Sequence, residues 1–171
     1  MDNNIRDKFK EVKLLALDFD GIMTDGCVYV SEDEKEAVKC SRKDSLGIAM
    51  LQKENIETIV ISKETSPVVS ARCKKIKIDC WQAVENSEAK LEILKRIIAK
   101  KNIHIREVAY MGDDLNDLKV LENVGLPITV RDGHDRIKNV CDYITAAKGG
   151  EHAVREVCEK ILEAKGINIL F

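Results

Sequence analysis

The sequence predicts a three-layer α/β protein built around a central parallel sheet. Short apolar runs alternate with longer segments of helical period, a pattern typical of parallel strands joined by crossover helices. Acidic clusters follow two of the apolar runs directly, at the carboxyl ends where parallel sheets bind their ligands. With 171 residues and no Pro/Gly-rich linker or internal repeat, the chain is expected to form one domain over residues 1–171.

The individual elements follow from the hydrophobic pattern. Strands are predicted at residues 13–19, 57–61, 107–111 and 125–129. Helices are predicted at residues 46–54, 67–75, 89–100 and 153–164. Cys27–Ser41 breaks the alternation, because two extended stretches, CVYV and EAVKCS, flank the acidic turn SEDEK. This segment is predicted to be a β-hairpin flap inserted after the first strand.

Composition and charge exclude several classes of function. The formal charge of -2, from 28 basic and 30 acidic residues, gives no global field for nucleic acid or an anionic membrane. Neither a run of the roughly 20 apolar residues that span a bilayer nor an apolar signal segment is present, so the cytoplasm is the expected location. The six cysteines form no CxxC pair, which favours reduced core residues over zinc ligands or disulfides.

The first acidic cluster follows the first predicted strand and begins with Asp18, Asp20 and Gly21. Because side chains alternate along an extended segment, Asp18 and Asp20 can project from the same side. An ionised Asp18 can attack phosphorus, while Asp20 can protonate the leaving alcohol and later accept a proton from water. Gly21 allows a sharp turn that brings backbone N–H groups near a transferring phosphoryl group.

The second acidic cluster, GDDLND, follows the third of these strands. Its hard oxygen ligands, without a neighbouring histidine or thiolate, indicate Mg²⁺ as the cofactor. The predicted metal ligands are the side chains of Asp18 and Asp113 and the backbone carbonyl of Asp20. Asp114 and Asp117 are predicted to orient waters, the cation or a lysine.

A phosphoryl group in transfer also needs hydrogen-bond donors and positive charge, because negative charge spreads over its equatorial oxygens. Ser62 ends the strand ETIVIS, where its hydroxyl can donate to a phosphate oxygen. Lys90 begins a helix ahead of the second acidic cluster and can reach both a phosphate and the nucleophile. Each is weak evidence alone, since a serine here is as often a helix cap.

Taken in order, DFDGIMTDG, Ser62, Lys90 and GDDLND resemble the four motifs of the haloacid dehalogenase superfamily phosphatases. The early TDG, the short hairpin, KDSLGI and KGGEHAVREVCEKIL further resemble the 3-deoxy-D-manno-octulosonate 8-phosphate phosphatases. They also resemble phosphatases of nine-carbon sialic-acid-type 9-phosphates and the phosphatase-like domain of some acylneuraminate cytidylyltransferases. The resemblance implies a Rossmann-like fold, no large cap domain and a small phosphorylated sugar acid as substrate.

The resemblance also implies a homotetramer in which hairpins assemble together and neighbouring subunits complete each active site. It places Lys43 and Asp44 at subunit-crossing or substrate contacts, and Lys63 and Arg72 at anion-binding positions. Arg155 matches the arginine of the late motif. One departure is Ser62-Lys63, where these relatives usually have Thr-Gly, and it bears on substrate identity more than on catalysis.

Two functions of different classes follow. The first is a magnesium-dependent phosphatase that acts through an aspartyl-phosphate at Asp18, on either an eight-carbon 8-phosphate or a nine-carbon 9-phosphate. The second is a non-catalytic module for assembly or regulation, like the domain attached to some cytidylyltransferases. The apolar ending GINILF is a candidate for packing into a neighbouring subunit.

Overall fold

A computed structural model describes residues 2–168 of the chain, and its centre is a six-stranded parallel sheet. Its strand order is β5-β4-β1-β6-β7-β8. These strands are β1 (Leu14–Leu17), β4 (Glu57–Ile61), β5 (Asp79–Trp81), β6 (Val108–Met111), β7 (Leu126–Thr129) and β8 (Tyr143–Ile144). The four predicted strands are confirmed as β1, β4, β6 and β7, and the α/β fold class is confirmed with them.

Helices cover both faces of the sheet, because β1 sends alternate side chains to opposite sides. Leu15 and Leu17 lie in one apolar cluster, and Leu14 and Ala16 lie in the other. The first cluster also holds residues of four helices: α1 (Asn3–Glu11), α2 (Arg42–Lys53), α3 (Pro67–Ile76) and α7 (Ala153–Ala164). The second holds residues of three others: α4 (Ser87–Lys101), α5 (Leu118–Leu121) and α6 (Asp135–Lys138). The protein therefore has the predicted three layers.

Two predicted helices begin earlier than hydrophobic periodicity indicates, because polar caps fix their first turns. Helix α2 begins at Arg42, where the Ser41 side chain accepts a hydrogen bond from the Lys43 N–H. Helix α4 begins at Ser87, with the Asn86 side chain accepting from the Ala89 N–H. The cap extends α2 by about one turn and α4 by about half a turn into polar sequence.

The predicted flap is present as a two-stranded antiparallel hairpin with strands β2 (Tyr29–Val30) and β3 (Glu36–Ala37). A bridge between Thr24 and Cys40 closes its base. Its strands are short and exposed, and over residues 2–168 no large cap domain accompanies it.

None of the helices at residues 2–168 is long and apolar enough to cross a membrane. The last three residues of the apolar ending considered for subunit packing, residues 169–171, lie outside the described part of the chain.

Candidate active site

The register of the parallel strands brings the two acidic clusters together. Leu17 pairs with Met111 at the carboxyl end of β1 and β6, and the Asp18 N–H donates to the Met111 carbonyl at 2.9 Å. Neighbouring strands therefore end at the same level, and the acidic residues that follow them share one edge of the sheet. Carboxylate oxygens of Asp18, Asp113 and Asp117 all lie within 4.8 Å of one another.

Lys90 lies between two of these carboxylates, in the first turn of α4. Its Nζ is 2.9 Å from Asp18 Oδ2 and 2.7 Å from Asp117 Oδ1, and its side chain is 0% exposed. Asp117 is held from two further directions, since the Tyr110 hydroxyl donates to Oδ1 at 2.7 Å and the Asp113 N–H donates to Oδ2 at 3.2 Å. The lysine is thus a fixed, charged donor beside Asp18.

Negative charge in this cluster exceeds the positive charge. Burial, followed by the charge of Asp117, raises the pKa of Asp18 well above its usual range, although Lys90 opposes this shift. Burial and the neighbouring Asp117 and Asp114 raise the pKa of Asp113 to about 7. The two carboxylates hold the pKa of Lys90 above its usual value in spite of its burial. Three carboxylates against one ammonium leave two negative charges, which one divalent cation would neutralise.

The donor set fits a hard cation such as Mg²⁺. All three groups are carboxylates, and no histidine or thiolate joins the cluster at residues 2–168. Asp18 and Asp113, both predicted as ligands, lie in it. Asp117, predicted to orient waters, the cation or a lysine, contacts Lys90 and also lies within the cluster. The Asp114 carboxylate is exposed and accepts from the Leu115 N–H, so its structural contact is a helix cap.

The loop after Asp18 holds Asp20 at the edge of the cluster. The Thr24 hydroxyl donates to Asp20 Oδ1 at 3.1 Å, and the Thr24 hydroxyl oxygen accepts from the Gly21 N–H at 3.3 Å. Burial raises the pKa of Asp20, which suits a group that gives up a proton. Gly21 has φ +74°, and a Cβ there would lie 2.0 Å from Asp113 Oδ2, so the turn requires glycine.

A cavity of about 330 Å³ opens over these groups. It is lined by Asp18, Asp20, Ser62, Lys63, Glu64, Thr65 and Asn116. The buried Ser62 hydroxyl accepts from the Glu64 N–H at 3.0 Å, which leaves its own hydrogen able to point to a ligand. The Lys63 side chain is an exposed cation at the rim.

Three other predicted residues lie outside this cavity lining. Lys43 is exposed in the first turn of α2. Asp44 is 1% exposed and accepts from the Arg155 N–H at 2.8 Å, so it contacts the first turn of α7. Arg72 donates to the Ser41 carbonyl at 2.8 Å and lines a separate basic cavity beside α2 and α3.

Five residues of the candidate site escape prediction from the sequence. Thr24 holds Asp20, Tyr110 holds Asp117, and Glu64, Thr65 and Asn116 line the cavity. Thr24 and Asn116 belong to the motifs DFDGIMTDG and GDDLND, so membership in these motifs could have identified them. Tyr110 lies in the fully buried strand β6, where the sequence pattern predicts only apolar packing. The contact of its hydroxyl with Asp117 therefore could not be predicted from the neighbouring residues.

A haloacid dehalogenase-like hydrolase family model matches residues 28–157. Over 164 residues the chain is 35% identical to the 3-deoxy-D-manno-octulosonate 8-phosphate phosphatase of Salmonella typhi, covering 95% of this chain and 86% of that protein. The chain therefore belongs to the haloacid dehalogenase-like hydrolase family, which confirms the resemblance seen in the motifs.

The solved structures that resemble this chain include octulosonate 8-phosphate phosphatases. One is the 3-deoxy-D-manno-octulosonate 8-phosphate phosphatase of Moraxella catarrhalis, in complex with a magnesium ion, a phosphate ion and KDO. It matches with a TM-score of 0.92 and 36% sequence identity, and the match covers 97% of this chain and 94% of that protein. The cobalt-bound phosphatase of Haemophilus influenzae matches with a TM-score of 0.86 and 28% identity over 93% and 92%. The chain is thus similar to octulosonate 8-phosphate phosphatases over nearly its whole length.

Proposed function

We propose that this chain is a magnesium-dependent phosphatase that hydrolyses a phosphorylated 2-keto-3-deoxy sugar acid of the 3-deoxy-D-manno-octulosonate 8-phosphate type. The observation that carries the proposal is the convergence of Asp18, Asp113 and Asp117 around one point, with Lys90 buried against two of them. A buried nucleophile, an adjacent fixed cation and a divalent-cation site are what phosphoryl transfer to a carboxylate requires.

In the first chemical step, a carboxylate oxygen of Asp18 attacks phosphorus as the bond to the sugar oxygen breaks. Asp20 gives its proton to that leaving oxygen, so the alcohol departs neutral. The products of this step are the free sugar acid and an aspartyl-phosphate at Asp18. Lys90 and the Ser62 hydroxyl stabilise the charge that develops on the equatorial oxygens.

In the second step, Asp20, now a carboxylate, takes a proton from water, and the water oxygen attacks phosphorus. The bond between phosphorus and Asp18 breaks, inorganic phosphate leaves, and both aspartates return to their starting states. The contact between Asp20 and the Thr24 hydroxyl keeps the same carboxyl group in reach for both proton transfers.

Asp18 and Asp113 would hold the Mg²⁺ ion through their side chains, with Asp117 beside it. When bound, the ion neutralises the approaching phosphate and the carboxylates. The position of Lys90 against Asp117 keeps the buried charge partly balanced before the ion binds. Magnesium and cobalt in the two similar phosphatases support this cofactor.

The substrate class is supported by the names of the relatives and by the shape of the cavity. A volume of about 330 Å³ at the Asp18 cavity admits a phosphate and part of a sugar chain. The cation of Lys63 and the carboxylate of Glu64 at its rim offer contacts for the polar groups beyond the phosphate. The nine-carbon 9-phosphates share this chemistry and are the natural competitors in a substrate comparison.

We propose a homotetramer for the assembled enzyme, formed through the flap. Val28, Tyr29 and Val30 are 50%, 71% and 66% exposed, an apolar surface that one chain does not bury. Burial of this surface between subunits would bring a neighbour over the open cavity and limit the access of water.

The alternative of a non-catalytic module is not favoured. A module that had lost its chemistry would have no need for a buried lysine in contact with two carboxylates, since such an arrangement costs stability unless it serves a function. The similar proteins are also named as phosphatases.

The test is release of inorganic phosphate from the eight-carbon and nine-carbon substrates, with and without Mg²⁺. Replacing the nucleophile by Asp18→Asn should lower kcat by at least about 10⁴-fold. The exposed Asp135→Asn should behave like the unmodified protein and serves as the matched control. An active Asp18→Asn variant, or no release from any sugar-acid phosphate, would contradict the proposal.

A further inference from the structure

The loop before α7 that contains Gly149 and Gly150, here called the double-glycine loop, packs directly against residues 21–25, which follow Asp20. A Cβ on Gly149 would lie 1.8 Å from the Gly21 carbonyl oxygen and 3.1 Å from the Thr24 carbonyl oxygen. Gly150 donates its N–H to the Ile22 carbonyl at 3.1 Å, and a Cβ on it would lie 2.6 Å from the Asp25 nitrogen. The backbones of the two loops therefore touch, which only glycine permits at this separation.

An aspartate from a third loop fixes the position of this contact. Asp132 follows β7, and its Oδ1 accepts the Gly149 N–H at 3.0 Å. The neighbouring Arg131 N–H donates to the Ala147 carbonyl at 3.3 Å. These two bonds hold the double-glycine loop to the turn that follows β7, so the loop can resist displacement of the residues around Thr24 that it contacts.

Thr24 carries the contact to the reacting groups. Its hydroxyl donates to Asp20 Oδ1 and accepts the N–H groups of Gly21 and Gly26, at 3.3 Å and 3.1 Å. The backbone carbonyl of Thr24 is the atom against which Gly149 and Gly150 both pack. Movement of the double-glycine loop would therefore change the place of the Thr24 hydroxyl and, with it, the direction of the Asp20 carboxyl group.

We infer that Asp132 is a positioning residue for the reaction, acting through Gly149 and Thr24 on the orientation of Asp20. The inference rests on the proposed role of Asp20 as the acid that protonates the leaving alcohol. A shift of a general acid by a fraction of an ångström weakens proton transfer while leaving nucleophilic attack by Asp18 in place. The effect should therefore depend on how much the leaving group needs a proton.

The test compares two leaving groups in Asp132→Ala. A sugar-acid phosphate leaves as an alcohol and needs the proton, whereas p-nitrophenyl phosphate leaves as a stable phenolate. Because both substrates share the second step, in which Asp20 activates water, the comparison uses kcat/KM, which reports the steps up to release of the leaving group. We expect kcat/KM to fall about tenfold for the sugar-acid phosphate and less than about threefold for p-nitrophenyl phosphate. Asp132→Asn keeps an acceptor oxygen for the Gly149 N–H and should restore the rate.

Substitutions of two glycines provide a second test of the same inference. Gly150 and Gly166 both have positive φ, +67° and +73°, but a Cβ on Gly166 meets nothing within 4 Å. Gly150→Ala should reproduce the leaving-group dependence, and Gly166→Ala should not. Equal losses of kcat/KM with both substrates in Asp132→Ala, or unchanged kcat/KM with both, would overturn the inference.

Hydrogen exchange separates failure of this inference from failure of the proposed function. The Gly21 and Gly26 amides, which donate to Thr24, should exchange faster in Asp132→Ala than in Asp132→Asn. If the unmodified protein hydrolysed neither substrate, the proposed function would fail while the exchange measurement still tested the loop contact. Unchanged exchange would overturn the inference even in an active enzyme.

Discussion

The acidic cluster and the flap are opposite kinds of structure within one chain. Asp18, Lys90 and Asp117 are buried at the ends of a parallel sheet, and each is held by hydrogen bonds from the same chain. The flap has two strands of two residues each and exposes Tyr29 and Val30. The first region is complete within one chain, whereas the second exposes apolar side chains to solvent.

This difference separates two requirements of the proposed reaction. Positions of the nucleophile, the lysine and the metal ligands are set within one chain, because backbone register and buried contacts fix them. Closure of the site over the substrate is proposed to depend on assembly through the flap. Substitutions in the acidic cluster should therefore lower both stability and activity. Substitutions in the flap should prevent assembly without changing metal binding.

The largest expected effect in the comparison comes from removing the buried lysine. Lys90→Met leaves the buried carboxylates of Asp18 and Asp117 without their cation, and the free energy of unfolding in metal-free buffer should fall by about 3–5 kcal/mol. Denaturant unfolding measures this loss. Lys95→Met, on the exposed face of the same helix, is the control. A loss at Lys90 no larger than at Lys95 would mean that the buried ion pairs contribute nothing.

Acidification should weaken binding of the metal. Burial and nearby carboxylates raise the pKa of Asp113 to about 7, so below that pH the metal-free folded protein holds a proton that the cation must displace. The Mg²⁺ affinity should fall by up to about tenfold for each pH unit below that value. Calorimetry in buffers of different ionisation enthalpy measures the proton released on binding. An affinity that is constant through this pH range would contradict the raised pKa.

The raised pKa of Asp113 also affects the stability of the metal-free protein, but acidification should increase this stability although it weakens metal binding. Between the ordinary carboxyl pKa and about 7, the folded state binds more protons at Asp113 than the unfolded state. The stability contribution of this group is therefore largest at low pH and declines as pH rises through that window. Metal binding should reverse the decline, because the cation favours the ionised carboxylate.

The smallest effect on the folded chain should come from the flap. Tyr29→Ser with Val30→Ser removes exposed apolar side chains, so the stability of a single chain should change by no more than about 0.5 kcal/mol. The solution mass should nevertheless fall from tetramer to monomer, with Mg²⁺ affinity retained. Ile144→Ser, which removes an exposed apolar side chain from β8, is the control and should keep the assembled mass. An assembled double variant would place the interface elsewhere.

The fold was largely predictable because most of its elements bury a regular apolar pattern. Strand β1 is buried throughout, and Leu94, Ile97 and Ile98 give α4 one buried face. Helix α1 escaped prediction because nearly all of it is exposed, with Phe9 as its buried residue. Strands β5 and β8 have three and two residues and lie at the sheet edges, where pairing with a neighbour rather than local pattern defines them.

The site was predictable to the level of motifs but not of contacts. The order of acidic clusters, serine and lysine identified the strand tips, and the structure brings Asp18, Asp113 and Lys90 together there. The contact of Asp44 with α7 depends on how two helices distant in sequence pack, which no local signal carries. The approach of Gly149 to Gly21 is likewise a tertiary contact, visible only in the folded chain.

The most direct test of the central claim is mass spectrometry of acid-quenched enzyme during turnover. The substrate is p-nitrophenyl phosphate, whose phenolate leaves without a proton from Asp20. Because Asp20→Asn then slows mainly the activation of water, we predict one phosphoryl group on the peptide that carries Asp18 in this variant. Asp18→Asn should carry none. Turnover with no phosphoryl group on the protein, or with the group on another residue, would contradict Asp18 as the nucleophile.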